Sequence, residues 1–171
     1  MLSRRSFLGT LGAAGVGALS SPLLNAAEQA SAPRKKLAVI TTEWRYHSHA
    51  WHMAERFLVG YPLEGRWHRP PFDVVSAYVD QFPENDLSRK RSEEFGFPIY
   101  KTVAEALRCG GDKLAVDAVL IIGEHGKYEL SEYEQTKYPR YEFFKQTTDV
   151  FRSDGRTAPV FNDKHLSWKW D

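Results

Sequence analysis

The chain has 171 residues, with 23 lysines and arginines against 22 aspartates and glutamates, and a single cysteine. The near balance of charge, with no basic stripe, speaks against a nucleic-acid partner, and one cysteine excludes an internal disulfide. The length beyond an amino-terminal leader suffices for one hydrophobic core and not for two domains.

The chain opens on Ser3-Arg4-Arg5-Ser6-Phe7-Leu8, followed by a mild apolar stretch to Leu24 that carries Gly9, Gly12, Gly15 and Gly17. A charged start, a short apolar middle and a small-residue end make a secretory leader, and the arginine pair makes it one for the twin-arginine translocase. The stretch is too short and too mild for a stable membrane span, so cleavage is expected, after Ala26 or after Ala32. Residues 1–32 are thus read as signal and linker, 33–171 as the folded domain, and the protein as exported to the periplasm or another extracytoplasmic space. Cys109 then reads as an inert helix-end residue in a chain that folds in a reducing compartment before export. Without Arg4 and Arg5 the remainder is close to neutral, and Arg34-Lys35-Lys36 is a solvated lead-in to the first strand.

From Leu37 strand-like and helix-like runs alternate. Leu37–Thr42 is a buried strand, and Ser48 caps a helix whose Ala50, Trp51, Ala54, Phe57 and Leu58 share one face. Gly60–Pro71, with three prolines and two glycines, reads as an inserted loop. Asp73–Asp80 is the second strand, and Asn85 or Asp86 caps a helix that runs to Phe95 and stops at Gly96. Ile99–Tyr100 is a short strand, and Thr102 and Glu105 have capping-box spacing. Val116–Ile122 is apolar enough for a strand buried on both faces. Tyr138–Arg152 makes a helix with Phe143, Phe144, Thr147, Val150 and Phe151 on one side, and Ala158–Asn162 the last strand. The pattern predicts an α/β fold: a Rossmann-like, doubly wound, mostly parallel sheet of about five strands. The end, Trp168-Lys169-Trp170-Asp171, is expected to be covered by further chain, so the sequence reads as the amino-terminal part of a longer two-domain protein.

Ligands of open parallel sheets bind outside the carboxyl ends of the strands, so the residues just past each strand carry the functional information. These are Thr41 to His49, Asp80, Gly123-Glu124-His125-Gly126 and Asn162-Asp163-Lys164-His165, expected on one rim.

At these residues the sequence resembles the glucose-fructose oxidoreductase and inositol dehydrogenase (Gfo/Idh/MocA) family from Lys36 to about Ser167. The resemblance lies in Arg45-Tyr46-His47-Ser48-His49-Ala50 after the first strand, in Ser92 to Tyr100, in Val116 to Ile122 and in Pro159 to Ser167. The last block is similar to the family's Glu-Lys-Pro strand end, with Asp163, Lys164 and His165 in those places. The resemblance implies a domain that binds NAD or NADP and exchanges hydride with a sugar-like small molecule held by a second domain. It implies catalytic roles for Lys164 and His165, and cofactor contacts by Thr41, Thr42, Tyr46, Asp80, Glu124 and His125, with Asp80 toward the ribose. The family's Gly-x-Gly-x-x-Gly loop falls on Thr41, Glu43 and Tyr46, so its glycines are missing and Glu43 brings a carboxylate to the phosphate position. Dinucleotide binding is therefore expected to be weakened or lost, and the chain as it stands to be inactive.

The alternative is a non-catalytic module that uses Trp44, Tyr46 and the histidines to hold a carbohydrate or a partner, with Trp67 as a further stacking surface. A third reading lets His49 and His52, one turn apart, share a metal with His125 or Glu124. No metal ligand is assigned, and the oligomeric state is left open.

Overall fold

The computed structural model describes residues 33–168. The segment expected to be a twin-arginine leader and the final Lys169-Trp170-Asp171 lie outside the described residues. Lys35–Thr41 forms β1, and its five residues from Leu37 onward are buried. A strand buried on both faces has parallel neighbours on each side, and β1 has both. It pairs with β4 (Phe72–Val79) on one flank and with β6 (Ala118–Ile122) on the other, in parallel. The pairing with β4 skips Val75, a local bulge near the strand's start. Outside these lie β5 (Ile99–Tyr100) and β7 (Val160–Asn162), also parallel, giving the order β5-β4-β1-β6-β7. This is a Rossmann-like doubly wound sheet, whose strand order reverses between β1 and β6.

Two layers of helix cover the sheet, and alternation along β1 serves both. Leu37 and Val39 face a cluster built on Ala50, Ala54 and Leu58, from α1 (His49–Met53) and α2 (Glu55–Leu58), with Trp44 and Phe97. Ala38 and Ile40 face the opposite cluster, built on Val103, Ala106 and Leu107 of α4 (Val103–Arg108) and Phe143, Val150 and Phe151 of α5 (Arg140–Asp154). Ser48 caps α1, its hydroxyl accepting from the Trp51 amide at 3.2 Å. The capping box at α4 forms as its spacing predicts, Thr102 and Glu105 each satisfying the other's amide at 3.1 Å. Helix α3 (Ser88–Phe95) ends on Gly96 at φ 73°, and Asp86 accepts from the Ser88 amide at its start. Cys109 closes α4 in the left-handed region.

One expectation is corrected. Gly60–Pro71 is not a plain loop but holds a hairpin, β2 (Tyr61–Leu63) against β3 (Arg66–His68). Glu64 and Gly65 turn it, both at positive φ (49° and 74°), as a two-residue hairpin turn of the primed type demands. Pro62 is tolerated because a two-stranded ribbon leaves one side of each strand without a neighbour. Among the described residues no helix is long and apolar enough to cross a membrane.

Candidate functional site

Parallel strands end together, and the register shows where. Thr41 stands opposite Val79 and Ile122, and Ile121 opposite Asn162. Thr42, Asp80, Glu124, His125 and the Asp163–His165 segment therefore leave the sheet along one rim, at its topological switch point.

The turn after β1 is tied down by its own bonds. The Thr42 amide donates to the Ile122 carbonyl at 3.2 Å, and its hydroxyl bonds the Glu124 carbonyl. The Thr41 hydroxyl, fully buried, donates toward the carbonyls of Ile122 (3.0 Å) and Glu43 (3.1 Å). The Arg45 amide donates to the Ser48 hydroxyl and the Ser48 amide to the Arg45 carbonyl. Glu43 pairs with the Arg45 guanidinium at 2.9 Å. A pyrophosphate needs free amides, close backbone approach and no opposing carboxylate. In this turn the amides of Thr42, Arg45 and Ser48 are already engaged, no glycine is present, and the Glu43 carboxylate is paired with Arg45. Trp44 also departs from expectation. It is 0% exposed, stacked on Phe97 at 5.9 Å with its indole N–H toward Glu55, so it is a core residue and not a ligand platform. Tyr46 stays exposed, its ring stacked on His47 at 4.0 Å.

The rim's other side chains form two linked groups. In the first, His49 at the start of α1 meets Asp163 after β7, Nδ1 to Oδ2 at 2.5 Å, and lies edge to face with the His125 ring at 5.1 Å. A carboxylate can only accept, so Nδ1 of His49 carries the proton and Nε2 keeps a lone pair when the ring is neutral. His125 sits at φ 69°, and its Nε2 is buried without a partner. Burial pushes the His125 pKa down from 6.5, with Arg45 and His49 adding to the effect, so the imidazole is held neutral. In the second group Arg140, 3% exposed at the first position of α5, donates to Glu124 Oε1 at 2.9 Å and to His165 Nε2 at 3.0 Å. Guanidinium only donates, so His165 accepts through Nε2. Lys164, between Asp163 and His165, is exposed at φ 69°.

Asp80 is on the rim with both oxygens engaged. Tyr78 and Tyr128 each donate a phenol to it at 2.6 Å, and burial followed by the Asp80 carboxylate raises both phenol pKa values. Gln81 exchanges hydrogen bonds with the Lys127 backbone, so Asp80 and Gln81 pin the 123–139 loop to the end of β4.

Of the sequence-derived site residues, Thr41, Thr42, Asp80, Glu124, His125, Lys164 and His165 share the rim, whereas Tyr46 belongs to an exposed stack with His47 and Trp51. His52 joins that stack and not His49, and among the described residues no three His, Cys, Asp or Glu side chains are placed to hold a metal. Trp67 and His68 lie on the hairpin, where the Trp67 indole donates to the Val59 carbonyl. Sequence reasoning missed Arg140, because nothing marks an arginine at a helix start as buried. Comparison with protein-family models, with curated proteins and with solved structures finds no match.

Proposed function

We propose that this chain is an oxidoreductase-like ligand-binding domain, similar to the nucleotide-binding half of the Gfo/Idh/MocA enzymes, in which a sugar-like small molecule takes the rim in place of NAD or NADP. One observation carries the reading: the turn after β1 has no glycine and carries the Glu43 carboxylate, while His49, His125, Glu124, Arg140 and His165 gather at the strand ends. Such a mix of imidazoles and fixed charges suits hydroxyl groups, which both donate and accept. We further propose that the leader sends the folded domain out through the twin-arginine translocase.

Calorimetric titration of the purified chain with myo-inositol, D-glucose and D-fructose, and separately with NAD and NADP, tests the first proposal. Saturable sugar binding that weakens about tenfold in His165→Ala, with no response to either dinucleotide, is the expected result. Saturable NAD or NADP binding that disappears in Asp80→Ala would return the chain to the dehydrogenases.

A further inference from the structure

Away from the rim, the inserted hairpin forms a groove against the first helices. Gly60 makes the close approach possible: it sits at φ 83°, and a Cβ there would come within 2.5 Å of the His68 carbonyl oxygen. The Trp67 indole fastens the same corner, donating to the Val59 carbonyl at 2.9 Å. The open space between the hairpin, α1, α2 and Arg91 of α3 has a volume of about 390 Å³, within the range of small-molecule sites. Trp51, Tyr61 and Pro62 give it apolar walls, and the Trp51 ring is held edge to face by Tyr46 and by His52 at 4.8 Å each. Glu55 lines the groove too, although it is only 8% exposed. Its Oε1 accepts from the Trp44 indole at 3.3 Å and from Arg91 Nε at 2.7 Å, and among the described residues nothing bonds Oε2. Arg91 also donates Nη1 to Glu94 at 2.6 Å, which leaves Nη2 without a partner among the described residues. Arg56 donates Nε to the His52 carbonyl at 2.9 Å and lies over the Tyr61 ring.

We infer that this groove is a second binding site, separate from the rim, and that its ligand is a neutral saccharide with two neighbouring hydroxyls set against Glu55 and Arg91. Charge decides the class. An anion would meet the Glu55 carboxylate and a cation the two guanidinium groups, so a ligand without net charge is favoured. A carboxylate bonded to a guanidinium presents an acceptor next to a donor, and a vicinal diol matches the pair. One hydroxyl donates to Glu55 Oε2 while its neighbour accepts from Arg91 Nη2. The C–H face of a pyranose ring packs on aromatic side chains, which Trp51 and Tyr61 supply. Glu55 is the specific element, because a mostly buried carboxylate oxygen that lacks a protein partner gains most from a donor brought by a ligand. The groove and the rim share no residue, so occupancy of one does not require the other.

The full chain is titrated calorimetrically with cellobiose and with maltose, and tryptophan emission is followed in the same titrations. Wild-type protein is expected to bind at least one of the two saturably, with a change in emission. Glu55→Gln, which puts an amide donor where Oε2 accepts, and Arg56→Ala, at an exposed position, should each weaken that binding about tenfold. His165→Ala, on the rim, should leave it unchanged. Trp51→Phe should keep most of the binding and lose the emission change. Glu55 also holds Trp44, so Arg56→Ala decides the matter if Glu55→Gln does not fold. Disaccharide binding that is equal in Arg56→Ala and wild type overturns the proposal. Binding that falls in His165→Ala instead assigns the disaccharide to the rim, which overturns the groove and supports the earlier reading. Absence of binding by both disaccharides overturns the groove, and the rim is then judged by the monosaccharide titrations alone.

Discussion

Gly123 leaves β6 directly beneath the stem of Arg140. A Cβ there would overlap Arg140 Cγ and approach its Cα to 3.3 Å. The stem cannot retreat, because Glu124 and His165 hold the guanidinium from two sides. Gly123→Ala is therefore expected to destabilise the fold by about 1–3 kcal/mol, read as a lower urea midpoint at unchanged slope. Wild-type stability would mean that α5 can slide outward and that the Arg140 cluster is soft. Gly123 needs no unusual φ, so its identity follows from this contact. Trp44 carries a related lesson: the sequence shows an aromatic beside a loop, and only the packing of Phe97 and Glu55 makes it a core residue.

At the scale of elements, Asp154 ends α5 and locks it to the turn after α4. Its carboxylate accepts from Arg108 at 2.7 and 3.0 Å and from the Leu114 amide at 2.7 Å. The Arg108 hydrogen bonds, helped by Ser153 and the Leu114 amide, hold its pKa well below the ordinary 3.8. A carboxylate depressed in the folded state adds stability that is complete above the unfolded pKa and fades as pH falls toward the folded one. Asp154→Asn should therefore melt below wild type at pH 7, and the gap should shrink progressively once pH drops under 3.8. A gap constant down to acid pH would show that the charge is irrelevant and only the side-chain shape matters. Most elements were legible in the sequence, because apolar period, Ser48, the Thr102 and Glu105 spacing and Gly96 are local signals. The hairpin was not. Pro62 argues against a strand when read alone, and what permits it is the absence of a further neighbour, a tertiary fact.

For the whole molecule, the rim could be anticipated because parallel strands must end on one edge, whichever residues they carry. The pairings on it could not: nothing local links His49 to Asp163 or Arg140 to Glu124 and His165. The proposed export makes its own prediction. Replacing Arg4 and Arg5 by lysines should keep the protein in the cytoplasm, folded, when cell fractions of a twin-arginine-competent bacterium are probed. Unchanged export of that variant would remove the leader from the proposal.

The central strand is made first on the ribosome, yet it waits for β6 to gain its second neighbour, and His49 waits longer still for Asp163. A nascent polypeptide released early at any codon before residue 163 lacks half of the dyad. A product ended there would leave the His49 ring without the carboxylate that fixes its tautomer.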